Sequence, residues 1–219
     1  MTPAQAVIFD MDGVLVDSEP LHERAFCEVL EQIGYGQTHG LDFTAYYGMS
    51  DRRVWEDFLA MHQPAQTLDE LADRKQRRFF ELLKEEEPVF EPLPALLEKL
   101  SRRCKLGLAS GSAHAVIREV LALKDLRRFF SAVLSAEDVT HGKPAPDIFL
   151  RAANLLGVPP DRCWVIEDSA AGVEGALAAG MRVIGITNTL PASELKKATH
   201  VVSTYREIEC LLVTEAGAS

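Results

Sequence analysis

Three short apolar runs in the sequence are each followed directly by acidic or hydroxyl side chains. Asp10 and Asp12 follow VIF, Ser110 follows LGLA, and Glu167 and Asp168 follow WVI. Two carboxylates separated by one residue suit metal binding, and one of them can also act as a nucleophile. Oxygen ligands without paired histidines or cysteines favour magnesium over zinc or copper. The residues therefore indicate a magnesium site in which one carboxylate can attack a substrate.

Each acidic segment by itself has a simpler explanation. The Asp-Gly pair at residues 12–13 is common in β-hairpins, but the VLV that follows is too short to pair with a buried strand. A calcium-binding EF-hand loop is excluded because Gly13 comes fourth in the segment rather than sixth. Asp168 or Ser169 can cap a following helix. Two acidic segments that each close a buried strand of one sheet make a metal site the better interpretation.

Two further segments can bind the oxygens of a phosphate group. Ser110, Gly111 and Ser112 supply hydroxyl and N–H donors ahead of a helix, although a helix N-cap is an alternative explanation. Lys143 lies in the loop HGKPAPD and can supply positive charge, although a solvated lysine in a turn is the alternative there. The four carboxylates carry −4 when ionised, so Lys143 and a divalent metal together would leave −1.

Apolar runs rich in β-branched residues predict the strands that position these side chains. The runs are Ala6–Phe9, Leu106–Ala109, Ala132–Leu134, Trp164–Ile166, Val183–Ile186 and, more weakly, Val201–Val202. Helical patterns at Ala113–Leu123, Asp147–Leu156 and Ala170–Ala179 alternate with the later runs. Strands that alternate with single helices predict an α/β fold with an open, Rossmann-like parallel sheet. Ligands bind beyond the carboxyl ends of such strands, where we expect the polar side chains to converge.

The interval between the first two predicted strands is too long for a simple crossover. It spans 94 residues, from 11 to 104, whereas a crossover helix needs a dozen or more. Helical patterns fill it at Leu21–Ile33, Arg52–Met61 and Leu68–Glu86, and a further helix at Leu93–Ser101 leads back to the sheet. The sequence therefore predicts an α/β core of residues 1–17 and 88–219 that carries a small helical cap domain, 18–87.

Composition and charge limit the class of protein and its partners. The 219 residues are 47% hydrophobic and 26% charged, which is typical of a folded globular protein. The net charge of −10 disfavours binding to nucleic acid or to an anionic membrane, and no apolar segment is long enough to span a bilayer. Cys27, Cys104, Cys163 and Cys210 form no CxxC pair, which favours reduced thiols in a cytoplasmic protein. We expect a monomer by default.

Four motifs together resemble those of the haloacid dehalogenase-like superfamily. They are DMDGVLVDSE, the strand-terminal Ser110, Lys143 in GKPAPDIF, and VIEDSAAGV. The resemblance is closest to the β-phosphoglucomutase-like branch, in which a helical cap follows the first motif. It implies that Asp10 becomes an aspartyl phosphate and that Asp12 acts as acid and base. It also implies the binding residues: Ser110, Gly111 and Lys143 for phosphate, and Asp10, the Asp12 carbonyl, Asp168 and Glu167 for Mg²⁺.

Two departures from this branch favour a phosphatase over a sugar phosphomutase. The mutase pattern SxSKN contains a lysine for a second phosphate, but this chain reads SGSAH and has no lysine there. The mutase loop GVSR contains an arginine, but here Asp51 takes that position and Arg52 follows it. His22 matches a cap-hinge histidine, although an exposed residue is the simpler interpretation. The run RKQRR at 74–78 indicates a solvated helix face, from which Lys75 alone could point into the cleft.

The sequence thus predicts a Mg²⁺-dependent phosphatase that hydrolyses a small phosphorylated metabolite, such as a sugar phosphate, through an aspartyl phosphate. His22, Arg52, Lys75 and His114 are the candidate residues for contacts with the rest of the substrate. A sugar phosphomutase is the alternative within enzymes. A regulator that binds a phosphometabolite without turnover is the alternative from another class, although it would not need a nucleophile beside a general acid.

Overall fold

The computed structural model describes residues 4–46 and 51–214, and the chain divides into two compact units. One unit contains the chain up to Asp17 and from Val89 onward, and the other is Ser18–Pro88. The sequence predicted divisions at 17/18 and 87/88, and the contacts divide the chain at 17/18 and 88/89. The roles of the two units as catalytic core and cap stay predictions.

The first unit is built on a parallel sheet with the strand order β3-β2-β1-β4-β5-β6. The strands are β1 Ala6–Phe9, β2 Lys105–Ala109, β3 Ala132–Leu134, β4 Cys163–Glu167, β5 Arg182–Ile186 and β6 His200–Val202. The inner strands are buried on both faces, because helices cover both sides, and this burial explains their continuous apolar runs. The predicted open parallel sheet with an inserted helical segment is confirmed.

The helices lie close to the predicted positions. They are α1 Glu19–Gln32, α2 Asp51–Met61, α3 Leu68–Glu86, α4 Leu93–Ser101, α5 His114–Ala122, α6 Asp147–Leu156, α7 Ala170–Ala178 and α8 Tyr205–Glu209. The pattern did not predict the short turns of 3₁₀ helix at Phe43–Tyr46 and Leu123–Phe129. In the second turn Lys124 and Asp125 have φ of 47° and 54°, a left-handed conformation that cannot continue α5.

The position of β1 in the sheet determines where a ligand can bind. β1 lies between β2 and β4, so the chain builds outward from it on one side and then returns to build on the other. Ligands of open α/β sheets bind at this reversal point, beyond the carboxyl ends of the strands. Asp10 follows β1 directly, and its N–H donates to the carbonyl of Ile166 in β4 at 3.0 Å. The first acidic segment therefore lies at the reversal point.

The second unit contains α1, α2 and α3, which pack around an aromatic core. Phe26 of α1 and Trp55 and Phe58 of α2 are buried there together with Phe43. A capping box formed by Thr67 and Glu70 begins α3, because each side chain accepts the backbone N–H of the other.

Within the described ranges, no helix has the length and apolar character needed to cross a membrane.

Candidate active site

Carboxylates from two strand ends meet at one place in the sheet unit. Asp10 follows β1, Glu167 is the last residue of β4, and Asp168 follows it. One carboxylate oxygen from each of the three lies within 4.8 Å of the others, and all three residues are buried. The structure therefore brings together side chains that are more than 150 positions apart in the sequence.

Lys143 reaches this acidic cluster from the loop between β3 and α6. Its Nζ lies 2.6 Å from Asp10 Oδ1 and 2.5 Å from Glu167 Oε1. Burial by itself would lower the pKa of Lys143, but the charges of the two carboxylates outweigh this effect and raise the pKa. The interpretation of Lys143 as a solvated lysine in a turn is therefore wrong. The side chain is a buried cation that bridges two carboxylates.

The cluster remains short of positive charge. Burial, and then the charge of Glu167, raises the pKa of Asp168 to about 7. Burial also raises the pKa of Asp10 well above its ordinary value, against the opposing effect of Lys143. A divalent cation would offset this repulsion, and three buried carboxylates with oxygen atoms this close form a suitable donor set. The residues therefore fit a divalent metal ion.

The loop after β1 packs against the acidic cluster through Gly13. The φ of Gly13 is +71°, and a Cβ atom at this position would lie 1.8 Å from Asp168 Oδ2. A side chain at residue 13 would thus both strain the backbone and displace a cluster carboxylate. The close approach to Asp168 therefore explains why a glycine follows Asp12, and a β-hairpin turn is not needed to account for it.

The Glu167 carboxylate at the end of β4 is held by backbone and hydroxyl donors of the two residues that follow it. Glu167 Oε2 accepts hydrogen bonds from Ser169 Oγ at 2.8 Å and from the N–H groups of Asp168 and Ser169 at 3.2 Å each. Ser169 is the N-cap of α7, since its hydroxyl accepts the N–H of Gly172. The capping alternative thus applies to Ser169, whereas Asp168 faces the cluster.

The predicted phosphate-binding segment follows β2. Ser110 is fully buried, and its N–H donates to the carbonyl of Leu134 at 3.0 Å. Gly111 has open space where a side chain would project. The N-cap position of α5 belongs to Ala113, which has no capping side chain, so the alternative that this segment caps the helix is wrong.

Several residues that hold the site lie outside the four motifs. Thr189 Oγ1 donates to Asp168, and Asn188 Nδ2 donates to the carbonyl of Gly13 at 2.8 Å. Ser112 Oγ donates to Asp12 Oδ2 at 2.8 Å. Asn188 and Thr189 lie just beyond β5, so the rule that polar residues follow strand ends could have found them. The sequence pattern indicated Ser112 only as part of the predicted phosphate-binding segment, not as a partner of Asp12.

Lys75 in the helical unit differs most from its predicted environment. It is only 1% exposed, so the solvated-face interpretation is wrong for this residue. Its Nζ lies 2.6 Å from Asp51 Oδ2 and 2.5 Å from His22 Nδ1, and it lies over the ring of Phe26. The simple interpretation of His22 as exposed is also wrong, because the imidazole is half-buried and stacks on Phe79. The three polar residues join α1, α2 and α3.

The other two candidate substrate residues each contact an acidic side chain. Arg52 pairs with Glu56 one turn along α2 at 2.9 Å and is largely exposed. His114, at the start of α5, lies 3.1 Å from Asp138 Oδ2. The rest of the mutase-like loop, Gly48-Met49-Ser50, lies outside the described residues.

The chain is similar to known proteins both in sequence and in fold. The family model described as haloacid dehalogenase-like hydrolase matches residues 4–180. A phosphorylated carbohydrates phosphatase of Thermotoga maritima is 36% identical over 191 residues, 85% of this chain and 87% of that protein. The fructose-1-phosphate phosphatase of Escherichia coli is 35% identical over 182 residues, 82% of this chain and 95% of that protein. A crystal structure of β-phosphoglucomutase from Clostridium difficile has a TM-score of 0.77 and 26% identity, and the match covers 97% of this chain and 96% of that one.

Proposed function

The chain belongs to the haloacid dehalogenase-like hydrolase family, as its motifs predicted, and on this basis we propose that it is a Mg²⁺-dependent phosphatase acting on a small sugar phosphate. The observation that carries the proposal is the buried Asp10 carboxylate, held by Lys143 within an acidic cluster and followed two residues later by Asp12. The names of the two phosphatase relatives support a phosphorylated carbohydrate as the substrate class.

In the first half-reaction, Asp10 attacks the phosphorus of the bound ester. A bond forms between the Asp10 carboxylate oxygen and phosphorus, and the bond from phosphorus to the sugar oxygen breaks. Asp12 donates its proton to that leaving oxygen, so the sugar departs as a neutral alcohol. The product of this step is an aspartyl phosphate on Asp10.

In the second half-reaction, water attacks the phosphorus of the aspartyl phosphate. Asp12, now a carboxylate, accepts the proton from water as the new bond forms. The bond between phosphorus and Asp10 breaks, which releases inorganic phosphate and restores both carboxyl groups to their starting states. Bulk water must be excluded from the site in the first half-reaction and admitted in the second. We assign this control of water access to the helical unit, acting as a cap.

The transferring group needs positive charge and hydrogen-bond donors for its oxygens. Lys143 supplies a fixed cation, because two buried carboxylates keep its ammonium in place. The Ser110 hydroxyl and the N–H of Gly111 supply donors beside the end of β1. These groups stabilise the phosphoryl oxygens and orient phosphorus towards Asp10.

The metal site is assigned to Asp10, the backbone carbonyl of Asp12, Asp168 and Glu167. Bound Mg²⁺ would neutralise phosphoryl oxygen charge and hold the phosphate in line with the nucleophile. Thr189 keeps Asp168 oriented through its hydrogen bond, and Ser169 does the same for Glu167.

The phosphatase is favoured over the mutase because two positions that carry cations in the mutase pattern do not carry them in this sequence. SGSAH has alanine where the mutase pattern has lysine. Asp51, at the position of the mutase arginine, instead directs a carboxylate at Lys75 and offsets its charge. We assign contacts with the sugar to His22, Lys75, Arg52 and His114. The expectations of a monomer and of a cytoplasmic location stay predictions.

The proposal is tested by release of inorganic phosphate from hexose and hexitol phosphates, with Mg²⁺ and with a chelator. Wild-type protein should turn over only with the metal. Asp10→Asn should lower kcat at least about 1000-fold, because it removes the nucleophile without changing its size. The exposed Asp161→Asn is the matched control and should retain full activity.

Three outcomes would overturn the proposal. Full activity in Asp10→Asn would exclude an aspartyl phosphate on that residue. Interconversion of phosphosugar isomers after addition of a sugar bisphosphate, without phosphate release, would identify a mutase. Tight binding of phosphosugars with no turnover at any metal concentration would identify a binding regulator.

A further inference from the structure

Ser112 contacts Asp12 from a distant part of the chain. Its hydroxyl donates to Asp12 Oδ2 at 2.8 Å, across 100 positions of sequence. Both residues belong to the sheet unit, at the ends of the neighbouring strands β1 and β2. A hydrogen bond of this length to a carboxylate is well formed and restricts the rotation of the Asp12 side chain.

Ser112 is itself held on two sides. Its N–H donates to Ser110 Oγ at 3.0 Å, and its carbonyl accepts the hydroxyl of Ser135 at 2.7 Å. Ser135 is fully buried just after β3, where its N–H donates to Asp138 Oδ2. The Ser112 hydroxyl is thus anchored to the ends of two strands and is a rigid donor.

From this geometry we infer that Ser112 is a positioning residue for the general acid Asp12, an inference that rests on the proposed function. As Asp12 passes its proton to the leaving oxygen, negative charge grows on its carboxylate. The Ser112 hydroxyl stabilises that charge and keeps the other carboxylate oxygen aimed along one direction. Loss of the Ser112 hydroxyl should therefore slow the phosphorylation step most for substrates whose leaving oxygen must be protonated as it departs.

The test compares leaving groups in single-turnover experiments with enzyme in excess, which isolate the phosphorylation step. The substrates are p-nitrophenyl phosphate, phenyl phosphate and a hexose phosphate, whose leaving oxygens need a proton to an increasing degree. In Ser112→Ala we expect the rate to fall about tenfold with the hexose phosphate and less than threefold with p-nitrophenyl phosphate. Ser112→Thr, which keeps the hydroxyl, should restore most of the lost rate.

Ser101→Ala is the matched control, because Ser101 is exposed at the end of α4 and bonds only within its own helix among the contacts described. It should leave all three rates unchanged. An equal loss with all three substrates in Ser112→Ala, or no loss with any, would overturn the inference. If Ser112→Ala fails to fold, the same rates are measured with Ser135→Ala, and the same results would support or overturn the inference. Absence of turnover in the wild type would instead overturn the proposed function.

Discussion

Gly172 lies inside helix α7, where alanine would ordinarily be more stable than glycine by about 1 kcal/mol. The tertiary structure reverses this expectation. A Cβ atom on residue 172 would lie 1.9 Å from both Cδ and Oε1 of Glu167. Glu167 is completely buried, so its carboxylate cannot turn into solvent to make room. We expect Gly172→Ala to destabilise the protein.

The size of the effect follows from the bonds that the displaced carboxylate would lose. Glu167 accepts three hydrogen bonds from Asp168 and Ser169 and pairs with Lys143 at 2.5 Å. A hydrogen bond to a charged group contributes about 1.5–3 kcal/mol. The loss of one or two such bonds outweighs the gain in helix propensity, so the free energy of unfolding should fall by about 2–4 kcal/mol.

Urea unfolding followed by circular dichroism measures this change through the shift in midpoint at constant slope. Gly142→Ala is the control, because a Cβ atom there meets nothing within 4 Å. It should change the free energy of unfolding by no more than about 0.5 kcal/mol. A Gly172→Ala protein as stable as the wild type, or more stable, would show that helix propensity dominates and that the contact with Glu167 is unimportant.

Two further predictions concern the helical unit. Lys75→Met should leave the urea free energy of unfolding unchanged or higher, because an apolar chain of similar length fills the buried site and the remaining Asp51 carboxylate is 45% exposed and can be solvated. Lys75→Ala should lower it by about 2–4 kcal/mol through the cavity it leaves. An equal loss in both variants would mean that the pair with Asp51 itself stabilises the fold. The hydrogen bond from Arg78 lowers the pKa of Glu28 in the folded state. This pair therefore stabilises the folded state at pH values above the unfolded pKa of Glu28, which is about 4.3. That stabilisation is lost as the pH falls through the lower pKa of the folded state. The difference in unfolding free energy between wild type and Glu28→Gln should therefore shrink between pH 6 and pH 3, and a constant difference would contradict the assignment.

The strands and their terminal residues could be predicted because burial on both faces leaves a direct trace in the sequence. A strand covered by helices must be apolar throughout, so each buried run ends where polar residues such as Asp10 and Glu167 begin. The parallel arrangement then requires those ends to lie along one edge. The helical insertion was predictable for a similar reason, because 94 residues cannot form a single crossover.

Side-chain partners between distant segments left no such trace. The run RKQRR alone does not distinguish Lys75 from its neighbours, although its spacing of four residues from both Leu71 and Phe79 places it on the buried face of α3. The partners that bury its charge, Asp51 and His22, come from other helices. The position of Thr189 just beyond β5 could have marked it as a polar residue at a strand end, but only the structure shows that its hydroxyl bonds to Asp168.

The sequence by itself determined the order of strands and helices, the inserted segment and the acidic residues at the strand ends, because periodicity and polarity are local properties. Only the tertiary structure decided which donor meets which carboxylate. The pairing of Ser112 with Asp12 and the close approach of Gly172 to Glu167 depend on distances of a few ångströms between separate elements. Such distances are set by how the whole sheet packs, and no single segment encodes them.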